Sequence, residues 1–450
     1  MGGLFTVVTA LALLATISLK SEAGEEGNDF DRMKFTGAYR VRTVFFNYGT
    51  ATPLFSLDLD LDPGIGPETD SKTRKLVDQR FRFSLVSQAS ENLKGVLAFE
   101  IGDIVWGVGT HGVGENYGGA QGADVVNVET RNAYLDFNIP DTRTNIKAGI
   151  QSPLDGFKGY LFDWDWDFDV AGIEVNTKFN AHSLTVGAFR LNEGGDLTQA
   201  DDRDLLKIGA DLSFSGKCNV SPHIYFLNDD RKIDRGTGML STARDLWAGV
   251  SCVKECGGFD LNGFVLYNKG KTDFDSVGVE DVDNSGFAVN FEGSKDFGST
   301  ALSLQATYST GEKESSTSTS RGDFHVILGP NYAGYLEIFT ALNEDVAGLN
   351  VDLNNSGLGL LSLQARARFE PRERIWTTFA AGYLRSTAEN AYGKKDMGIE
   401  LDAVVGYEFT GGLTAELGAA YGLVGDFYNT TANPDPDDMF EIYTRLQYSF

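Results

Sequence analysis

Hydrophobic and polar residues alternate along most of this chain. The last eleven residues, Phe440 to Phe450, show the pattern most clearly. One set is Phe440, Ile442, Thr444, Leu446, Tyr448 and Phe450; the other is Glu441, Tyr443, Arg445, Gln447 and Ser449. Successive side chains of a strand point to opposite faces, so this stretch predicts a strand with an apolar, aromatic-ended face and a polar, charged one. From Met33 onward, eighteen segments carry the same period of two. They are roughly 33–46, 78–90, 92–104, 126–139, 144–151, 168–179, 182–191, 205–215, 219–227, 244–253, 258–268, 285–293, 300–309, 357–369, 375–386, 396–409, 413–424 and 439–450. No helical periodicity of comparable length competes.

The connections sort by parity. Short ones include Ser90-Glu91, Pro140 to Arg143, Asn180-Ala181, Gly216-Lys217, Lys254 to Gly257, Glu370 to Arg374 and Thr410 to Gly412. Long ones span 47–77, 105–125, 152–167, 192–204, 228–243, 269–284, 310–356, 387–395 and 425–438. A soluble β-sandwich, the competing architecture, has no reason to sort its loops this way. A transmembrane β-barrel does, with short periplasmic turns and long external loops. The expectation is an all-β, transmembrane antiparallel barrel of about eighteen strands, in the range 16–18. An even count places both ends of the barrel on the short-turn side. Within 310–356, Phe324 to Leu328 and Tyr335 to Leu342 read either as two further short strands or as a loop folded into the lumen. The loop is the preferred reading.

Composition agrees with strands that face lipid on one side only. Gly is abundant (53), Pro scarce (10), aromatics reach 12%, and mean hydropathy is −0.20. Residues 1–23 stand apart. Leu4 to Ile17 is apolar, and Ser21-Glu22-Ala23 offers a small-x-small cleavage site, so the segment reads as a secretory signal peptide, with 24–450 the barrel domain. No basic residue precedes Lys20. Removing one Lys and one Glu with it leaves the formal net charge at −26. Such a chain is not expected to bind nucleic acid.

Alternation also assigns the lumen. Phe35, Tyr39, Val41 and Phe45 facing lipid put Arg40 and Arg42 inside. Phe81, Phe83 and Leu85 outside put Arg80 and Arg82 inside, and Arg445 points in from the last segment. Barrel closure makes these neighbours on one basic wall. Arg366 and Arg368 form a second basic patch. Acids flank the wall: Glu400, Asp402 and Glu416 on one side, Glu100 and Glu174 on the other. These groups either pair across strands and fill a polar core, or line a pore constriction and set its selectivity. A barrel of this width is too wide for side chains alone to fill, which favours a pore.

Several stretches resemble known Gram-negative outer-membrane proteins. The terminal Phe450 on an alternating strand resembles the C-terminal signature read by the barrel-assembly machinery. Gln79-Arg80-Phe81-Arg82 is similar to the second strand of alginate-export-type porins and of related trimeric porins. Asn132 to Phe137 followed by Ala148-Gly149-Ile150-Gln151, and Asp396-Met397-Gly398-Ile399-Glu400-Leu401-Asp402, resemble two further motifs of that group. The resemblance implies passive diffusion of ions and small hydrophilic solutes, or selective passage of acidic sugars and other organic anions. It implies an outer-membrane location among lipid and lipopolysaccharide, and a homotrimer or a monomer according to subtype. No cofactor and no resident metal are expected.

Other constellations are weaker. Asp58, Asp60 and Asp62 have the spacing of a Ca²⁺ loop, but Pro63 follows the third and Thr69 stands where the closing Glu belongs. Asp163 to Asp169 alternates acids with aromatics, as an interfacial girdle or a sugar-stacking rim would. Pro434 to Asp438 reads as a stiff acidic loop. The four histidines, His111, His182, His223 and His325, do not combine with a serine and an acid on one rim, so catalysis is not expected. A sheath for a partner protein is a lesser alternative, and no plug domain is expected ahead of the first strand. Cys218, Cys252 and Cys256 fall at the periplasmic rim, with Cys218 almost opposite Cys252. A Cys218–Cys252 bond, a Cys252–Cys256 bond and free thiols all fit that placement.

Overall fold

The computed structural model describes residues 33–49, 66–67, 73–108, 119, 126, 128–162, 168–194, 201–214, 217–234, 240–276, 278–328, 334–342, 348–431 and 433–450. The expected signal segment, Asp58 to Gly64, His111 and Asp163 to Asp167 lie outside the described residues.

Among the described residues, eighteen strands close into one antiparallel barrel. They are Met33–Phe46 (β1), Arg74–Ser90 (β2), Leu93–Val105 (β3), Glu129–Asn138 (β4), Thr144–Gln151 (β5), Val170–Phe179 (β6), His182–Asn192 (β7), Arg203–Phe214 (β8) and Cys218–Asp234 (β9). The second half is Leu240–Cys256 (β10), Phe259–Phe274 (β11), Val282–Asp296 (β12), Thr300–Ser309 (β13), Leu360–Arg372 (β14), Ile375–Ser386 (β15), Asp396–Thr410 (β16), Leu413–Val424 (β17) and Met439–Ser449 (β18). Each strand pairs with the next. β18 closes on β1 in a register running from Ala38 opposite Ser449 to Phe46 opposite Glu441. A closed barrel satisfies every strand's backbone groups without water and leaves no edge, which is what a bilayer demands. Each of the eighteen predicted segments corresponds to one barrel strand.

The outer face is a band of uncovered apolar side chains. Phe35, Leu304, Val265 and Leu417 are all more than half exposed, and no second layer packs on them. In a soluble sandwich these would form the core; here they suit lipid. The short turns carry the backbone that tight hairpins require. Gly257 and Gly258, both at positive φ (61° and 76°), make the two-residue connection from β10 to β11.

The largest departure from the sequence reading is length. β9 to β12 have 17, 17, 16 and 15 residues, beyond the roughly 9–11 that a bilayer needs. The external ends of β9 and β10 carry charge on both faces and that of β11 carries Lys269, Lys271 and Asp273 on its outer face, so the apolar-outside alternation is lost there, yet the hydrogen-bond ladder continues above the membrane. Pairs such as Arg231–Asp229 (2.8 Å) and Lys271–Asp281 (2.8 Å) decorate this extension. Among its described residues, region 310–359 adds no strand to the barrel. A two-residue segment, Ser320–Arg321, runs parallel to β12 beside it, and the described stretches 323–328, 334–342 and 348–359 are largely buried.

Candidate functional site

The register of β18, β1 and β2 brings the arginines of the predicted basic wall together. Arg40 stands opposite Arg80, and Arg42 lies between Arg445 on β18 and Asp78 on β2. Like charges side by side in a sheet repel, and buried carboxylates offset this. Arg42 Nε donates to both Asp78 oxygens at 3.1 Å, with Arg40 Nη2 3.8 Å away. Glu100 on β3 gathers Arg82, Arg131 (2.7 Å) and Arg80 (3.9 Å). Arg131 Nε continues to Asp169 at 2.6 Å. Arg445 pairs with Glu416 across β17 and β18.

The wall is therefore a compensated network in which Arg40, Arg42, Arg80, Arg82 and Arg131 outnumber Asp78, Glu100, Glu129 and Asp169. Its members differ in access. The Arg42 side chain is sealed, whereas Arg80, Arg82 and Arg445 retain 14, 22 and 16% exposure toward the lumen. Arg42 thus supports the wall rather than lining a passage.

Strict alternation misses Arg131. It would face lipid in phase with Ala133, Leu135 and Phe137. The β3–β4 register instead shifts between Ala98, opposite Asn132, and Phe99, opposite Thr130, leaving Arg131 as the extra residue of a bulge. A bulge re-aims a side chain, and Arg131 is buried on the inner side.

Opposite this wall the lumen is crossed by a loop, 152–162, leaving β5. Asp155 organises it: its carboxylate accepts the N–H groups of Phe157, Gly159 and Leu161 at 2.7 Å and of Phe162 at 3.3 Å. The loop then docks on β9 to β13. Gly156 donates to the Tyr225 hydroxyl (2.8 Å), and the rings of Phe157 and Tyr160 meet Phe264 edge-on at 5.5 and 5.1 Å. The Tyr160 hydroxyl accepts from Asn290 (3.2 Å) and Gln305 (2.9 Å). Burial holds this phenol protonated, its pKa well above the ordinary value. The inner faces of β9 to β11 carry Tyr225, Leu227, Trp247, Phe264 and Leu266, all buried. Apolar residues on both faces of these strands were the available signal that something covers the inside.

A second insertion, 322–359, covers β14 to β18. Ile327 and Leu328 donate to the Leu161 carbonyl at 3.0 and 3.1 Å, joining the two loops. Glu292 on β12 clasps both: it takes Lys158 from the first loop and the Tyr335 hydroxyl from the second. Near the external end, His325 lies 2.9 Å from Asp323 and 3.8 Å from Asp245 on β10, and its carbonyl accepts Trp247 Nε1 at 2.7 Å. Burial lowers the His325 pKa, but the two aspartates outweigh it and hold it at about 9.

This insertion changes the reading of the acidic flank. Glu400 and Asp402 do point inward, but they are buried beneath the loop, and Glu400 binds the N–H groups of Ile338 (2.6 Å) and Phe339 (2.7 Å). They anchor the constriction and do not line an open path. Glu174 is likewise engaged, by Lys207 at 2.9 Å, and Lys207 also holds the Leu154 carbonyl at 2.9 Å. In the second basic patch, Arg366 stacks on Tyr335 (4.4 Å) and belongs to the loop contact. Arg368 lies over Trp376 (5.2 Å) and pairs with Glu370 (2.9 Å) at the exposed periplasmic end. Cys218 and Cys252 are outside the lumen altogether. The least buried arginines on the wall facing the two loops are Arg80, Arg82 and Arg445, on β2 and β18.

No protein-family profile matches the chain, and no curated protein does. Solved structures do. OpdK from Pseudomonas aeruginosa with vanillate is similar at a TM-score of 0.53 and 12% identity, over 92% of this chain and 98% of that one. OccK9 (OpdG) from the same organism gives 0.55 and 14%, over 94% and 100%. A BenF-like porin from Pseudomonas fluorescens Pf-5 gives 0.52 and 13%, over 92% and 98%. These likenesses show the fold, a closed eighteen-stranded barrel of the outer-membrane porin type.

Proposed function

We propose that the chain is an outer-membrane porin passing ions and small hydrophilic solutes through a constricted, arginine-flanked lumen. The observation that carries this reading is the pair of loops held inside the barrel against an arginine wall. A structural barrel has no need of a constriction folded around Asp155 and tied to the barrel by Glu292 and Glu400. Planar-bilayer recording from the folded protein tests it: steps of ion conductance are expected, and a barrel that never conducts would sink the reading.

The arginine excess favours a second, narrower reading, selectivity for small organic anions such as carboxylates. OpdK, solved with the aromatic carboxylate vanillate, shares the fold and supports this reading. Reversal potential in a KCl gradient should then show anion preference. Arg80→Glu should shift the permeability ratio several-fold toward cations, because Arg80 keeps 14% of its side chain exposed on the inner face. An unchanged reversal potential would remove the wall from the path.

The finer kinship with alginate-export-type or trimeric porins rests on three short motifs. Those types differ in assembly, one copy against three, and detergent-corrected analytical ultracentrifugation separates them.

A further inference from the structure

The three cysteines lie together on the lipid side of the barrel, at its periplasmic end. In β9 and β10 the inner positions are odd, with Tyr225 and Trp247 buried, and the outer positions are even, with Ile224 and Val250 exposed. Cys218, Cys252 and Cys256 are all even. Cys218 is the first residue of β9 and Cys256 the last of β10, and Cys252 lies four residues before that end of β10.

The register discriminates among the pairings. Cys252 and Cys256 sit four residues apart on one strand, so at 3.2–3.4 Å per residue their Cα atoms are ~13 Å apart, well beyond the ~7 Å that a disulfide spans. Cys218 stands opposite Lys254, and Cys252 opposite Val220. Cys218 is thus diagonal to Cys252 in one direction and to Cys256 in the other. The twist of a sheet shortens one diagonal at the expense of the other, and Cys218 is the neighbouring thiol that acts on Cys252, both being free thiols in the structure. A diagonal pair starts near ~7–8 Å, so closure needs a small approach. Cys218, beside a turn at the strand end, is free to make it. The periplasmic side is an oxidising compartment.

We propose that Cys218 and Cys252 form a cross-strand disulfide in the exported protein and that Cys256 remains a free, exposed thiol. The oxidant is a disulfide of a periplasmic thiol oxidase. One thiolate of the pair attacks it and forms a mixed disulfide. The second thiolate displaces the oxidant, so one S–S bond forms in the barrel as one breaks in the oxidant. Two protons leave the cysteines, and the oxidant departs carrying two electrons as its dithiol. The bond would staple β9 to β10, the strands whose inner residues Tyr225 and Trp247 hold the lumen loops.

The test is thiol titration of the full-length exported protein, unfolded without reductant after alkylation-free purification of the folded fraction, together with non-reducing peptide mapping. One reactive thiol per chain is expected before reduction and all three after it, with Cys256→Ser giving none before reduction. The map should link the Cys218 and Cys252 peptides. Three reactive thiols before reduction, or a linked peptide containing Cys256, would overturn the proposal. Both measurements read the wild-type chain, so a Cys218→Ser variant that fails to fold leaves the outcome decided.

Discussion

The two sides of the lumen are built on opposite principles. The wall of β1 to β4 and β18 is held by charge: stacked arginines are tied to Asp78, Glu100 and Asp169. The side from β9 to β17 is covered by backbone and aromatic residues that the loops bring in, with single carboxylates accepting N–H groups. On the wall, Arg80, Arg82 and Arg445 keep part of their charged surface uncovered; Asp155 and Glu400 direct theirs to backbone donors inside the protein. On the proposed porin reading, the first arrangement would set preference and the second would set size. The division predicts that loop-side carboxylate variants change conductance, while wall variants change selectivity.

Asp155→Ala should break the loop side most. It strips the acceptor from four N–H groups. Each donor left buried and unsatisfied costs about 1–3 kcal/mol, so the loop should leave its seat rather than stay unpaired. The barrel ladder does not depend on it. The expected result is a several-fold rise in single-channel conductance with the heat-stability of the folded barrel little changed. Unaltered conductance would mean that loop 152–162 does not limit the path.

Glu292→Gln should act in the same direction and less. The neutral amide loses the charge partner of Lys158 and weakens the acceptor for Tyr335, while Asp155 and Glu400 still hold their own loops. Open-channel noise should increase, with a modest rise in mean conductance. Because Glu292 touches both insertions, Glu292→Gln combined with Lys158→Met should add little beyond either alone. A fully additive double variant would show that the residues act separately.

How much of this could be read in advance follows from where alternation holds. Lipid faces are enforced residue by residue, so all eighteen strands and the inward direction of Arg40, Arg80, Glu400 and Arg445 were legible. Alternation is blind to three things. It cannot see a bulge, and Arg131 entered the wall through one. It stops at the membrane boundary, where β9 to β12 continue on backbone hydrogen bonds alone. It also says which face a side chain takes but not what lies on that face. Glu400 and Asp402 were correctly turned inward and wrongly left open, because the loop that covers them comes from some sixty residues earlier in the chain and contacts them only through the closed barrel.

The smallest effect belongs to the latch between the second insertion and β10. His325 is faced by Asp323 on its own loop and Asp245 on β10, with Arg321 paired to Asp323 at 3.1 Å and Asn268 accepting the His325 N–H at 3.3 Å. Its pKa is raised from 6.5 to about 9. A histidine with a raised pKa contributes its full stabilisation below the unfolded value and loses it as pH climbs through the folded one. The latch should therefore be complete near pH 6, weaken between about 7 and 9, and be lost by pH 10. Gating noise, or protease cleavage within 322–328, should rise across that window in the parent protein. His325→Gln cannot carry the charge, so its noise should already be raised at pH 6 and stay flat to pH 10. A variant that keeps the parent's pH profile would move the titration to another group and leave His325 as a backbone anchor through its carbonyl to Trp247 alone.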